Sequence, residues 1–413
     1  CGAALSVAAL TGCFSKPDAP AANDAAVSDG NIDAAEQPRP CTPLPNGAEF
    51  ASYRNGAVGR LDGDALDDMA VFGTVPSTVA GKREPHVWVY HGSRSGFDLQ
   101  CPHEDFAFAN WTLVGAVDIA PFPNRDGLLI VAGISGNPAM ASSRAMEYSV
   151  TDYLNGVKKS ESHMSWPAPN AVPDWMPNKL NMGSFIASRT TNDGSAQQIL
   201  LGGADRVFGI TWHGADGALS AAGFTHASGA GLYQALYLPS GMFYGATSNA
   251  NVGAYIYEVR SDAMPTSAQV SLMDDNISGR GSNGNIGAAR HTFDGALLRS
   301  PMLPITGDQV IEIRQAELAT SLVTLTIPKS DAPGLHIQEV ATRDRTPATP
   351  LWVLMGEVYK PYNPHKLMRF SNQAKDQNGG LLITNKNTVE IATSDIVTAG
   401  EPTPMLITGR FNG

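Results

Sequence analysis

The chain reads as all-β, and three observations point that way. Of its 413 residues, 42 are glycine and 28 are proline, about one in six, which favours many turns over long helices. Short apolar runs bounded by Gly, Asn, Asp or Ser recur throughout the stretch after residue 41. Similar strands return at a spacing of roughly 50–70 residues, the length of a four-stranded propeller blade. The expected fold is therefore a β-propeller of roughly six or seven four-stranded blades behind a disordered tether.

Composition narrows the function. Hydrophobic residues make up 43% and charged residues 16%, the balance of a folded, extracytoplasmic type of protein. A net charge of -11 excludes nucleic acid as a partner, because no basic excess replaces phosphate counterions. The same charge excludes an electrostatic grip on anionic lipid heads.

Residues 1–12 are small and apolar, too short to cross a bilayer, and read as the remnant of a signal peptide that has lost its first residues. Leu10-Thr11-Gly12-Cys13 resembles a bacterial lipobox, which implies cleavage before Cys13 and a lipid anchor on it. From Cys13 to Pro40 the chain is rich in Ala, Asp and Pro, with too few large apolar residues to fold. An acidic tether of this kind extends by self-repulsion. The propeller is expected over residues 41–413. Cys41 and Cys101 flank its first repeat and read as a disulfide formed in an oxidising compartment; two unrelated buried thiols are the alternative. The absence of C-x-x-C removes support for structural zinc or a thioredoxin-like site.

The stretch 58–71, VGRLDGDALDDMAV, organises the repeats: an apolar pair, a tight acidic loop and a second apolar run. It resembles the FG-GAP/VCBS repeat, known from integrin-α-like propellers, in which strand, D-x-D-G-D-G-x-x-D loop and strand form part of a blade. Asp62, Asp64 and Asp68 fall on the third, fifth and ninth loop positions, while Arg60 replaces the first acidic ligand and Ala65 the sixth-position glycine. The resemblance implies Ca²⁺ held by Asp62, Asp64 and Asp68, helped by Asp67 and the Leu66 carbonyl. Against that, Arg60 could pair with these carboxylates in place of the ion, or the acids could serve as Asx turns without metal.

The first repeat continues through the alternating strand 86–90 and the glycine turn 91–98, HGSRSGFD. A second copy runs from 114–118 through Asn124-Arg125-Asp126-Gly127 into 128–131. A third runs from 183–185 through Asn192-Asp193-Gly194 into 199–201, then 207–212 and the turn 213–217. Fainter strands are expected at 242–245, 254–259, 302–305, 310–313, 351–355, 381–384 and 389–391. Residues 406–411 resemble 58–61 and suit a ring-closing strand.

Other motifs carry less. The GxGxxG at Gly279–Gly284 lies in an Asn-, Ser- and Gly-rich setting without a following helix, and reads as a loop. Gly133-Ile134-Ser135-Gly136 is not a nucleophile elbow, and no catalytic triad can be assigned. His91 and His213 each precede a turn glycine, which favours a structural role. Trp166 and Trp175 sit among four prolines (Pro167, Pro169, Pro173, Pro177), suited either to stacking on a ligand or to plugging the propeller face. The expected protein is a monomeric lipoprotein at the outer membrane or cell surface of a bacterium. Its propeller would act as a non-catalytic binding or adhesion module for a protein or polysaccharide; a polysaccharide lyase or hydrolase with its site in the central channel is the alternative.

Overall fold

The computed structural model describes residues 39–50, 56–64, 66–93, 98–122, 125–136, 145–154, 156–166, 185–191, 193–202 and 206–225. Beyond these it describes the strands named below, together with 328–330 and 333–334. No helix forms among the described residues, and the chain is all-β.

The first sheet holds β1 (Glu49–Phe50), β2 (Ala57–Gly59), β3 (Asp68–Pro76), β4 (Arg83–Tyr90) and β5 (Glu104–Ala107). β1 and β2 share one edge of β3, with β2 paired to its start and β1 to its later half. The second sheet is β6 (Trp111–Phe122), β7 (Arg125–Ser135), β8 (Ala145–Leu154) and β9 (Val157–Trp166). The third is β10 (Phe185–Thr190), β11 (Ala196–Gly202), β12 (Arg206–His213) and β13 (Leu219–Thr225). The second and third are antiparallel meanders in chain order.

The fourth sheet continues the pattern with β14 (Leu232–Tyr237), β15 (Phe243–Thr247), β16 (Tyr255–Tyr257) and β17 (Val270–Ser271). The fifth has β18 (Ile286–His291), β19 (Leu297–Pro301), β20 (Gln309–Arg314) and β21 (Ser321–Ile327). The sixth has β22 (His336–Thr342), β23 (Leu351–Gly356) and β24 (Lys366–Phe370). The chain then forms the short pair β25 (Ala374–Lys375) and β26 (Leu381–Leu382), which joins the fifth sheet by a parallel pairing on β21. It returns to complete the sixth with β27 (Thr388–Ala392).

Neighbouring sheets meet through their leading strands: β2 against β6, then β6 against β10, β10 against β14, β14 against β18 and β18 against β22. Four-stranded meanders joined in this way are arranged as propeller blades are. The expected strands at 86–90, 128–131, 199–201, 310–313 and 351–355 all lie within observed ones. The strand expected at 302–305 lies outside the described residues, which place β19 just before it. Cys13, Trp175, the GxGxxG segment and residues 406–411 also lie outside them.

The first sheet is apolar on both faces. Along β3, Ala70 and Phe72 alternate with Met69 and Val71; along β4, Val87 and Val89 alternate with Trp88 and Tyr90. The first set joins Val114, Val117, Ile119, Leu129 and Val131 in a core shared with the second sheet. The second set is covered by Leu44, Ala48 and Phe50, which come from β1 and the segment that precedes it. Phe50 meets Trp88 edge-on, with ring centroids 5.2 Å apart. That covering segment is held by backbone bonds from Thr42 to Pro102 and from Leu44 to Gln100, each 2.9 Å.

Cys41 and Cys101 form a disulfide beside those bonds. It closes a loop of 60 residues, which the chain-entropy account values at about 4 kcal/mol. Reducing it, or replacing both cysteines by serine, is expected to lower the unfolding free energy by about that amount in denaturant titrations. An unchanged midpoint would show that the covering segment stays docked without it.

Candidate functional site

The acidic loop joins β2 to β3 and leads into a buried cluster of charged groups. Asp68 opens β3 with no exposed surface, and its carboxylate binds three donors. Oδ2 accepts the Leu61 backbone N–H at 2.5 Å, and Oδ1 accepts the Gly92 N–H at 3.0 Å and faces His91 Nδ1 at 3.1 Å. One side chain thus closes the loop onto itself and ties the end of β4 to the start of β3.

Gly92 permits this. A Cβ there would lie 2.6 Å from the Asp67 carbonyl oxygen and 2.7 Å from Leu66 Cβ, so any side chain would push its N–H away from Asp68. The glycine turn expected after residue 90 is therefore a close-approach site.

His91 is buried, and both its ring nitrogens face carboxylates. Nδ1 faces Asp68, with Asp62 Oδ2 at 3.5 Å, and Nε2 faces Glu104 Oε1 at 3.1 Å. Glu104 Oε2 in turn accepts the Tyr153 hydroxyl from β8 of the second sheet at 3.0 Å. Burial by itself pushes the imidazole's pKa down, but the hydrogen bonds to Asp68 and Glu104 outweigh it and raise it to about 9. His91 is then an imidazolium donating from both nitrogens. His103 behaves oppositely: its Nδ1 accepts the His91 backbone N–H at 2.9 Å, and burial, with the His91 and Arg39 charges, lowers its pKa.

Asp62 Oδ1 accepts the Asp64 N–H at 3.1 Å, and Asp64 Oδ1 accepts the Leu66 N–H at 2.7 Å. These are the Asx turns that order such loops. Burial, together with the charges of Asp62 and Asp68, raises Asp64 to about 6, against the opposing pull of the Leu66 bond. Asp62 Oδ2 lies 2.7 Å from an Arg39 guanidinium nitrogen, an ion pair whose angles do not make a hydrogen bond. Arg60, the residue the sequence offers for this pairing, stays largely exposed and reaches Asp67 Oδ1 at 3.8 Å.

Asp62, Asp68 and His91 bring one donor atom each to within 4.8 Å of one another, a spacing that a metal could bridge. As arranged, the loop does not fit calcium, which takes about six to eight oxygens. Both oxygens of Asp68, one of Asp62 and one of Asp64 are engaged by protein donors, and cationic side chains face the other Asp62 oxygen.

The other expected site residues are less engaged. Asp118 on β6 accepts the Ser188 hydroxyl from β10 at 2.8 Å. Burial raises its pKa to about 6, against the lowering effect of the Ser188 and Ile119 bonds. Asp126 Oδ2 accepts the Gly156 N–H at 2.8 Å, and Asp193 orders the β10–β11 turn through Thr191 and Ser195. His213 is exposed, with Nε2 3.3 Å from Ser220 Oγ. Trp166 ends β9, and its side chain, like the whole of Trp175, lies outside the described residues. Sequence reasoning does not reach Glu104, Tyr153 or Arg39.

No family model matches the sequence, and no curated protein matches it. Among solved structures, the chain is similar to Sqt1 from Chaetomium thermophilum at 13% identity, covering 87% of this chain and 76% of that one, with a TM-score of 0.46. It is similar to the Dos1 propeller at 8% identity, covering 82% and 77%, with a TM-score of 0.40. A third is an arginine-to-alanine mutant of AofleA from Arthrobotrys oligospora, at 9% identity, 86% and 93% coverage and a TM-score of 0.43. At such identities and scores the likeness says nothing about activity.

The raised pKa of His91 has a definite sign in stability. The folded state keeps its proton up to about pH 9, whereas the unfolded imidazole loses it near 6.5. The contribution is complete below pH 6.5 and declines as pH rises from there through 9. Denaturant midpoints measured across that range are expected to fall, and His91→Gln to flatten the profile. Gly92→Ala is expected to lower stability by about 1–3 kcal/mol in the same titration.

Proposed function

We propose that this chain is a propeller of the FG-GAP/VCBS kind with six or seven blades, to which the six sheets among the described residues belong, acting as a non-catalytic binding or adhesion module. In this reading a lipid on Cys13 and the acidic tether hold it at a bacterial envelope, where it meets a protein or polysaccharide. One observation carries the non-catalytic reading. The buried charged cluster is a closed network in which His91 has both nitrogens taken by carboxylates and presents neither a free base nor an open face. A general base needs access to the proton it abstracts. The cluster binds blade to blade instead, leaving recognition to the exposed loops. In the sequence, Trp166 and Trp175 stand among four prolines, a composition suited to stacking on a sugar ring or an apolar protein patch.

Asp118 supports the enzymatic alternative. It lies on a leading strand, is bonded to a residue of the next sheet, and its pKa of about 6 suits a general acid. The test is to present the protein with a panel of bacterial polysaccharides and envelope proteins, measuring binding and product formation together. Saturable binding without turnover is expected, weakened about tenfold or more by Trp166→Ala with Trp175→Ala. Turnover abolished by Asp118→Asn would establish the enzyme reading.

A further inference from the structure

The acidic loop has the spacing of a cation site, yet the chain supplies its own cation there, the Arg39 guanidinium. The Asp62 side chain is 1% exposed, and its Oδ2 accepts no hydrogen bond among the described residues. A buried carboxylate oxygen in that condition requires a positive charge nearby. The Arg39 guanidinium supplies one at 2.7 Å. A divalent ion reaching this oxygen would have to displace the guanidinium.

Arg39 does not belong to the loop. It comes from the segment just ahead of Cys41, which the disulfide and the Thr42 and Leu44 backbone bonds fasten along the β4–β5 connection. The second sheet closes over the same ion pair. Gly156, in the β8–β9 turn, has φ +70°, and a Cβ there would lie 2.9 Å from Asp62 Cβ and 3.3 Å from Arg39 Nη1. The guanidinium is thus held from two sides, whereas Arg60 stays near the surface and reaches Asp67 Oδ1 at 3.8 Å.

We infer that Arg39, delivered by the disulfide-fastened segment, occupies the cation position of the acidic loop, so that the folded domain takes no divalent ion there. This inference concerns the loop alone and stands whether the domain binds or catalyses.

The test is thermal unfolding of the full chain with its disulfide intact, in calcium and in chelator, for the wild type, Arg39→Gln, Asp62→Asn and the double variant. The wild-type midpoint is expected to be the same in both solutions. Arg39→Gln should lower it by about 2–4 °C, and the double variant should lose less than the two single losses combined. A rise of the wild-type midpoint in calcium, an Arg39→Gln midpoint equal to wild type, or strict additivity would each overturn the inference. Terbium luminescence on the wild type gives a second reading that needs no variant to fold. No saturable signal is expected, and a saturable signal displaced by calcium would overturn it.

Discussion

The fold's first corner depends on burying one carboxylate. Asp68 has no exposed surface, and removing an acid from water is unfavourable by several kcal/mol unless donors replace the water. Here the donors are the Leu61 and Gly92 backbone N–H groups and the His91 ring. Hydrogen bonds to a charged group contribute about 1.5–3 kcal/mol each, so the three together offset a penalty of that order. Because the donors lie on both sides of the sheet's strand ends, the bonds fix where β2 turns into β3 and where β4 ends.

The network then extends outward in one direction. His91 passes from Asp68 to Glu104 at the start of β5, and Glu104 passes to Tyr153 on β8. A polar chain thus runs across the first sheet and into the second, beside the apolar core of Phe72, Val87, Ile119 and Leu129. Apolar contact provides most of the attraction between the two sheets, and the directional bonds select one register for it. Moving the His91 proton would loosen this contact between the first two sheets.

Much of the local structure is legible in the sequence because it is short-range. Alternation in 86–90 marks β4, the Asp193-Gly194 pair marks a turn in which Gly194 has φ +71°, and two cysteines flanking one repeat mark the disulfide. The resemblance names Asp62, Asp64 and Asp68 as one set, whereas the donor atoms that lie within 4.8 Å of one another are those of Asp62, Asp68 and His91. It does not identify their partners. Glu104 lies 13 residues beyond His91 and Tyr153 another 49 beyond Glu104, so nothing in local spacing connects them. Arg39 reads as tether because its neighbours are Pro and acidic residues; its role arises from a disulfide that returns the chain to the sheet. Arg60 is the natural choice by position, but it lies on the solvent side of the loop, where water screens its charge.

The account rests on His91 being a buried imidazolium shared by two carboxylates, and nitrogen-15 spectra of the imidazole ring measure that directly. Both ring nitrogens are expected to carry protons at about pH 7.5, and to remain protonated until the pH approaches 9. A neutral ring at that pH, with one nitrogen bare, would contradict the account: the carboxylates of Asp62, Asp68 and Glu104 would then need another cation, and a metal ion would become the leading candidate.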